Sequence, residues 1–147
     1  MREILCSDQN HNASKVRALV VDDFEPFRQF TVSTLQTKQE LQVVGEASDG
    51  LEAVQKAEEL QPDLILLDIG LPTLNGIEAA HRISQLVPAA KILFVSQEND
   101  TDVVAAALSN GAKGYLRKQN ANSELLSAVE AVLQGDRFVS EGLTSKT

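Results

Sequence analysis

Apolar residues gather in five short runs along this chain, and after each run they recur every three or four positions. Runs of four to six apolar or β-branched residues read as buried strands, and the wider spacing reads as amphipathic helices. Arg17-Ala18-Leu19-Val20-Val21 is the first strand, and the helix after it carries Phe27, Phe30, Thr31 and Leu35, with Pro26 suited to its first turn. Leu41 to Ala47 is the second strand. Asp49 then caps a helix with Leu51, Val54, Ala57 and Leu60 on one face, stopped by Pro62. The third strand lies within Pro62-Asp63-Leu64-Ile65-Leu66-Leu67-Asp68-Ile69-Gly70-Leu71-Pro72. Asn75-Gly76 leads into a helix whose inward positions are Ile77, Ala80, Ile83 and Leu86. Ala90 to Val95 is the fourth strand, followed from Asp100 or Thr101 by a helix ending at Asn110-Gly111. Ala112 to Leu116 is the fifth, and a helix from about Asn122 to Gly135 carries Leu125, Leu126, Val129, Val132 and Leu133 on one face.

Five strands alternating with five helices through short connections predict an α/β fold with a doubly wound parallel sheet. The flavodoxin-like strand order 2-1-3-4-5 is the usual arrangement of five such units, and it places a switch point between strands one and three. Residues 1–15 are polar and aperiodic, and a flexible leader is expected there. Residues 16–135 are expected to form the single domain, and 136–147 a polar, loose tail or the start of a linker.

Composition narrows the chemistry. With 43% hydrophobic and 23% charged residues, the 147-residue chain has the make-up of a soluble globular domain. No apolar run approaches the ~18 residues of a spanning helix, and no signal-peptide core is visible at the N-terminus, so a cytoplasmic protein without a membrane partner is expected. One cysteine, Cys6, permits no internal disulfide, and two histidines, His11 and His81, make no zinc cluster, so any metal must be held by oxygen. A net charge of −8 argues against a broad nucleic-acid surface.

The strand ends carry the informative residues. Strand one runs into Asp22 and Asp23, strand three into Asp68, strand four into Ser96, and strand five into Arg117 and Lys118. Singly, each is an ordinary turn residue or solvated charge. In the predicted topology the three carboxylates meet at one rim, where their repulsion either raises a pKa or calls in a cation, with Mg²⁺ the economical answer. A lysine and a hydroxyl at neighbouring strand ends complete a site suited to phosphoryl transfer, for which an ionised aspartate needs no general base.

This set of strand ends, with Leu71-Pro72 and Gly76 after the third strand and Gly114-Tyr115-Leu116-Arg117-Lys118 on the fifth, resembles the receiver domain of bacterial two-component response regulators over about residues 17–135. The resemblance implies that Asp68 is the phospho-acceptor, taking its phosphoryl group from a sensor histidine kinase. It implies Mg²⁺ bound by Asp23, Asp68 and the backbone carbonyl of Gly70, with Asp22 acting largely through a metal-bound water. Lys118 is implied to pair with the phosphoryl oxygens and Ser96 to hydrogen-bond one of them. Tyr115 is implied as a switch aromatic that turns inward as Ser96 moves, altering a helix 4–strand 5–helix 5 face through which a partner or a homodimer would form. Gly111 to Lys118, Glu124-Leu125-Leu126 and Gly135 to Ser140 resemble the NarL/LuxR-type group, whose members add a DNA-binding domain, so transcriptional output through such a domain is expected. A stand-alone receiver working by protein contacts is the alternative.

Three residues depart from the common family pattern: Gln97 where a small residue is frequent, Gln119 where many members have proline, and Gly70, which offers no side chain. They bear on phosphorylation rate and phosphoryl lifetime. Two further readings are an aspartate-nucleophile phosphatase, disfavoured by the lack of an Asp-x-Asp after any strand, and a receiver-like module that accepts no phosphate.

Overall fold

The computed structural model describes residues 15–109 and 111–140. Its elements are β1 (Val16–Val21), α1 (Glu25–Leu35), β2 (Leu41–Ala47), α2 (Gly50–Leu60), β3 (Leu64–Leu67), α3 (Gly76–Leu86), β4 (Lys91–Ser96), α4 (Thr101–Ser109), β5 (Gly114–Arg117), α5 (Ala121–Leu133) and β6 (Phe138–Val139), with a 3₁₀ turn at Lys118–Asn120. The strands form one sheet in the order β2-β1-β3-β4-β5-β6, and every pairing is parallel. The expected order of the first five strands is therefore present, with a sixth added.

Alternation along each strand sorts the core into two layers. Leu19, Val21, Ile65, Leu67, Ile92, Phe94 and Tyr115 pack against α2, α3 and α4 through small residues such as Ala53, Ala57, Ala80 and Ala107. On the other face Ala18, Val20, Leu64, Leu66, Leu93, Val95 and Leu116 pack against Val32 and Leu35 of α1 and against Leu125, Val129 and Val132 of α5. Burying a large side chain of this kind contributes about 1.5–3 kcal/mol, so the strand interiors supply most of what holds the sheet.

Two helix faces differ from the periodic reading. Leu51 is 51% and Leu86 41% exposed. On α2 the inward side is taken by Gly50, Ala53 and Ala57, because the helix start presses on the loop before α3: a Cβ on Gly50 would lie 1.8 Å from the Leu74 carbonyl oxygen. At the end of α3, Val87, just past the helix, is buried instead of Leu86. Asp49 caps its helix as expected, accepting from the Glu52 amide at 2.8 Å, and Asn75 caps the next, accepting from that of Glu78 at 3.0 Å.

The C-terminal segment is the main correction. Residues 136–140 are not a loose tail: after Gly135 turns the chain at φ +93°, Phe138 and Val139 pair with Gly114 and Tyr115 of β5. The Phe138 amide donates to the Lys113 carbonyl at 3.1 Å and the Ser140 amide to that of Tyr115 at 2.9 Å. Ser140 is fully buried; its hydroxyl accepts from the Arg117 amide and donates to Glu124 Oε1, each at 2.9 Å. Gly114 allows this approach, since a Cβ there would stand 2.8 Å from the Phe138 carbonyl oxygen. The leader expected over 1–15, apart from Lys15, and the tail over 141–147 lie outside the described residues. So does Asn110 of the predicted α4 stop, although Gly111 next to it has φ +92°.

Candidate functional site

The strands are in register where the site forms. Val21 is level with Leu67, Leu67 with Phe94, and Ser96 with Arg117, so the residues that follow each strand emerge at one edge. Asp22 and Asp23 arrive from β1, Asp68 from β3, Ser96 from β4 and Lys118 from β5. The carboxylates of Asp22, Asp23 and Asp68 each place an oxygen within 4.8 Å of the others. Asp22 and Asp68 are buried and Asp23 is exposed. The edge opens into a cleft of about 490 Å³ bordered by Asp23, Asp68, Gly70, Ser96 and Lys118, and also by Phe24, Gln97 and Glu98.

Lys118 is the centre of the electrostatics. Its ammonium donates to Asp22 Oδ2 at 2.8 Å and to Asp68 Oδ2 at 3.3 Å, with only 12% of the side chain exposed. Burial alone would lower the lysine; the hydrogen bond to Asp22 and the charges of Asp68 and Asp22 outweigh it and hold Lys118 above its ordinary value. Burial raises the Asp22 carboxyl, and the hydrogen bonds from Lys118 and from the Phe24 amide offset only part of that rise. Neighbouring backbone fixes the acids. Asp22 Oδ1 accepts from the Phe24 amide at 2.9 Å, while Arg28 donates to the Asp22 carbonyl at 2.8 Å and to Glu46 Oε1 at 2.9 Å. Asp68 takes an amide hydrogen from Gly70 at 3.4 Å. Gly76 lets the start of α3 close on the same residue, for a Cβ there would fall 2.0 Å from the Asp68 carbonyl oxygen.

Ser96 is buried at the end of β4, its hydroxyl accepting from the Glu98 amide at 3.2 Å. Tyr115 stands behind it, fully buried, its hydroxyl donating to the Glu98 carbonyl at 2.8 Å. Burial pushes the Tyr115 phenol up to about 12, against a hydrogen bond with Ser96 and with help from the charges of Glu98 and Asp68.

The structure thus brings together Asp22, Asp23, Asp68, Gly70, Ser96 and Lys118, and sets Tyr115 one layer beneath. No cis peptide occurs among the described residues, so the bond after Lys118 is trans. Phe27 and Arg28 were not among the expected site residues. Phe27 lies 4.7 Å below the Lys118 ammonium, measured to its ring centroid. Its place in the first turn after Asp22-Asp23-Phe24-Glu25-Pro26 was the available signal.

A rim of oxygen ligands suits a hard divalent cation such as Mg²⁺, which takes a few carboxylates and keeps positions for water and phosphate oxygens. Asp22, Asp23 and Asp68 fit that role by donor type and mutual distance. An acidic, lysine-bearing pocket at the carboxyl edge of a flavodoxin-like parallel sheet defines the receiver class of α/β signalling domains. Residues 18–130 match the family model of the response regulator receiver domain, and the chain belongs to that family.

Its relatives agree. The chain is 35% identical over 133 residues to the transcriptional regulatory protein DegU of Brevibacillus brevis, covering 90% of this chain and 56% of that protein. It is 35% identical over 133 residues to the nitrate/nitrite response regulator protein NarL of Escherichia coli K12, covering 90% and 62%. Among solved structures, a LuxR-family two-component response regulator from Aurantimonas sp. SI85-9A1 superposes with a TM-score of 0.85 at 33% identity, over 90% of this chain and 94% of that one. The chain therefore spans about 56–62% of the length of these curated relatives. These relatives are named as regulators, and among the described residues no helix is long and apolar enough to cross a membrane.

Proposed function

We propose that Asp68 is the phospho-acceptor of this receiver. The observation that carries the reading is the Lys118 ammonium held between Asp22 and Asp68, with Asp23 beside them at the mouth of the cleft. An Asp68 carboxylate oxygen forms a bond to phosphorus as the bond from phosphorus to the imidazole nitrogen of a phosphohistidine breaks, and the leaving imidazole takes up a proton. Mg²⁺ at Asp22, Asp23, Asp68 and the Gly70 carbonyl supplies charge neutralisation when bound. Lys118 faces the incoming oxygens and Ser96 donates its hydroxyl to one of them, so this chain contributes chiefly orientation and positive charge.

The same geometry suggests how the state is passed on. Tyr115 already points inward, so no ring has to enter. Drawing the Ser96 hydroxyl toward a phosphoryl group takes it from the Glu98 amide, and Glu98 also receives the Tyr115 hydroxyl. A new charge at Asp68 thereby changes the segment between β4 and α4 and biases the α4–β5–α5 side. The phosphoryl donor is a sensor histidine kinase, and the output is transcription control through a DNA-binding domain of the kind carried by NarL/LuxR-type regulators; the relatives' names as transcriptional and response regulators support it. A homodimer on the α4–β5–α5 side would have to include β6, which lies along β5.

Acetyl phosphate with Mg²⁺ should add one phosphoryl group to the protein, read by intact mass, and Asp68→Ala should take none. Labelling that persists in Asp68→Ala would assign the acceptor elsewhere.

A further inference from the structure

Lys118 has a third companion that carries no charge. Its ammonium, already shared by Asp22 and Asp68, sits 4.7 Å from the centroid of the Phe27 ring, within cation–π range. Phe27 is half-buried and braced on one side. It belongs to the first turns of α1, which Pro26 helps start, and its ring leans on that of Phe30 with centroids 5.5 Å apart at 40°. Phe24, Gln97, Lys118 and Gln119 border a hollow with it, next to the acidic cleft.

A flexible lysine needs such a guide because its two anionic partners do not stay available. A divalent ion at the rim competes for Asp22 and Asp68, and a phosphoryl group on Asp68 removes that carboxylate as a partner. An aromatic face competes for neither metal nor phosphate, so its attraction for the ammonium does not depend on a carboxylate staying free. We infer that Phe27 is a positioning residue that keeps the Lys118 ammonium over the cleft while its carboxylate partners change. The kinetic part of this inference rests on Asp68 being the acceptor; the placement of Lys118 by the ring does not.

The test replaces Phe27 in the full chain by Leu, by Tyr and by a ring-fluorinated phenylalanine that keeps the shape but weakens the negative face. Two readouts are taken: the ring-current shift of the Lys118 ε-methylene protons, and the rate of labelling by acetyl phosphate with Mg²⁺. Urea midpoints identify any variant that fails to fold, and the fluorinated variant, closest in shape, then decides. The wild type should show upfield-shifted ε-protons. Leu and the fluorinated ring should slow labelling about fivefold, and Tyr should recover most of the loss. Unshifted ε-protons in the wild type would overturn the inference, as would a fluorinated variant labelled at the wild-type rate. If the wild type takes no label while its ε-protons are shifted and lose the shift in Phe27→Leu, the acceptor assignment fails and the placement of Lys118 by Phe27 stands.

Discussion

The Tyr115 hydroxyl donates to the Glu98 carbonyl at 2.8 Å, tying the middle of β5 to the loop that follows β4. Tyr115 is the only tyrosine of the chain and tryptophan is absent, so its ionisation is read cleanly by phenolate absorbance. The phenol is raised from 10.0 to about 12. A group raised on folding contributes stability that is complete below its unfolded value and is lost as pH climbs through the folded one, here between pH 10 and about 12. The absorbance midpoint of the folded protein should lie near 12 and fall to about 10 in denaturant. A midpoint near 10 in the folded protein would mean an accessible ring.

Gly76→Ala tests how closely α3 closes on Asp68 at the end of β3. In an exposed helix the exchange gains up to about 1 kcal/mol. Here the new Cβ would meet the Asp68 carbonyl oxygen at 2.0 Å and the Ile69 Cα at 2.7 Å, both backbone atoms that cannot rotate aside. The sign should reverse, with a loss of about 1–3 kcal/mol in urea unfolding and slower labelling of Asp68 as its strand end shifts.

Divalent metal should stabilise the fold through the acidic rim. Binding only the native state adds about 2.7 kcal/mol at a free metal concentration of about 100 times Kd. The urea midpoint should rise with Mg²⁺, return on chelation, and respond weakly in Asp23→Asn, which removes the exposed member of the three-carboxylate group. Equal responses in wild type and variant would place the ion elsewhere.

Ser140→Ala removes an acceptor from the Arg117 amide and a donor to Glu124 in a fully buried position. An unmet buried polar group costs about 1–3 kcal/mol, so unfolding should move by that amount. Hydrogen exchange at the Phe138, Ser140 and Arg117 amides should speed up first, because these are the bonds that hold β6.

How much of this was legible in the sequence depends on the length of the signal. Leu64–Leu67 is apolar throughout and Lys91–Ser96 is apolar between its ends, as expected of strands with helices over both faces, and such runs are hard to mistake. The acids were equally plain, since each follows directly on an apolar run. Phe138 and Val139 had no period to detect: a two-residue strand is set by pairing with distant Gly114 and Tyr115. Leu51 and Leu86 were misplaced because spacing gives the face of a helix but not which small residues its neighbours require; on α2 Gly50 holds the inward side through close backbone approach, with Ala53 buried beside it. The Phe27 ring under Lys118 joins residues 91 positions apart in the chain (118 − 27), and the only hint of it was the place of Phe27 in the first turn after the paired acids.

At the β5 margin the sheet is closed, among the described residues, by the two-residue strand Phe138–Val139. An edge strand that short offers a further chain little backbone to pair with. A partner docking on that flank would meet mainly side chains of α4 and α5 rather than a long row of backbone donors and acceptors.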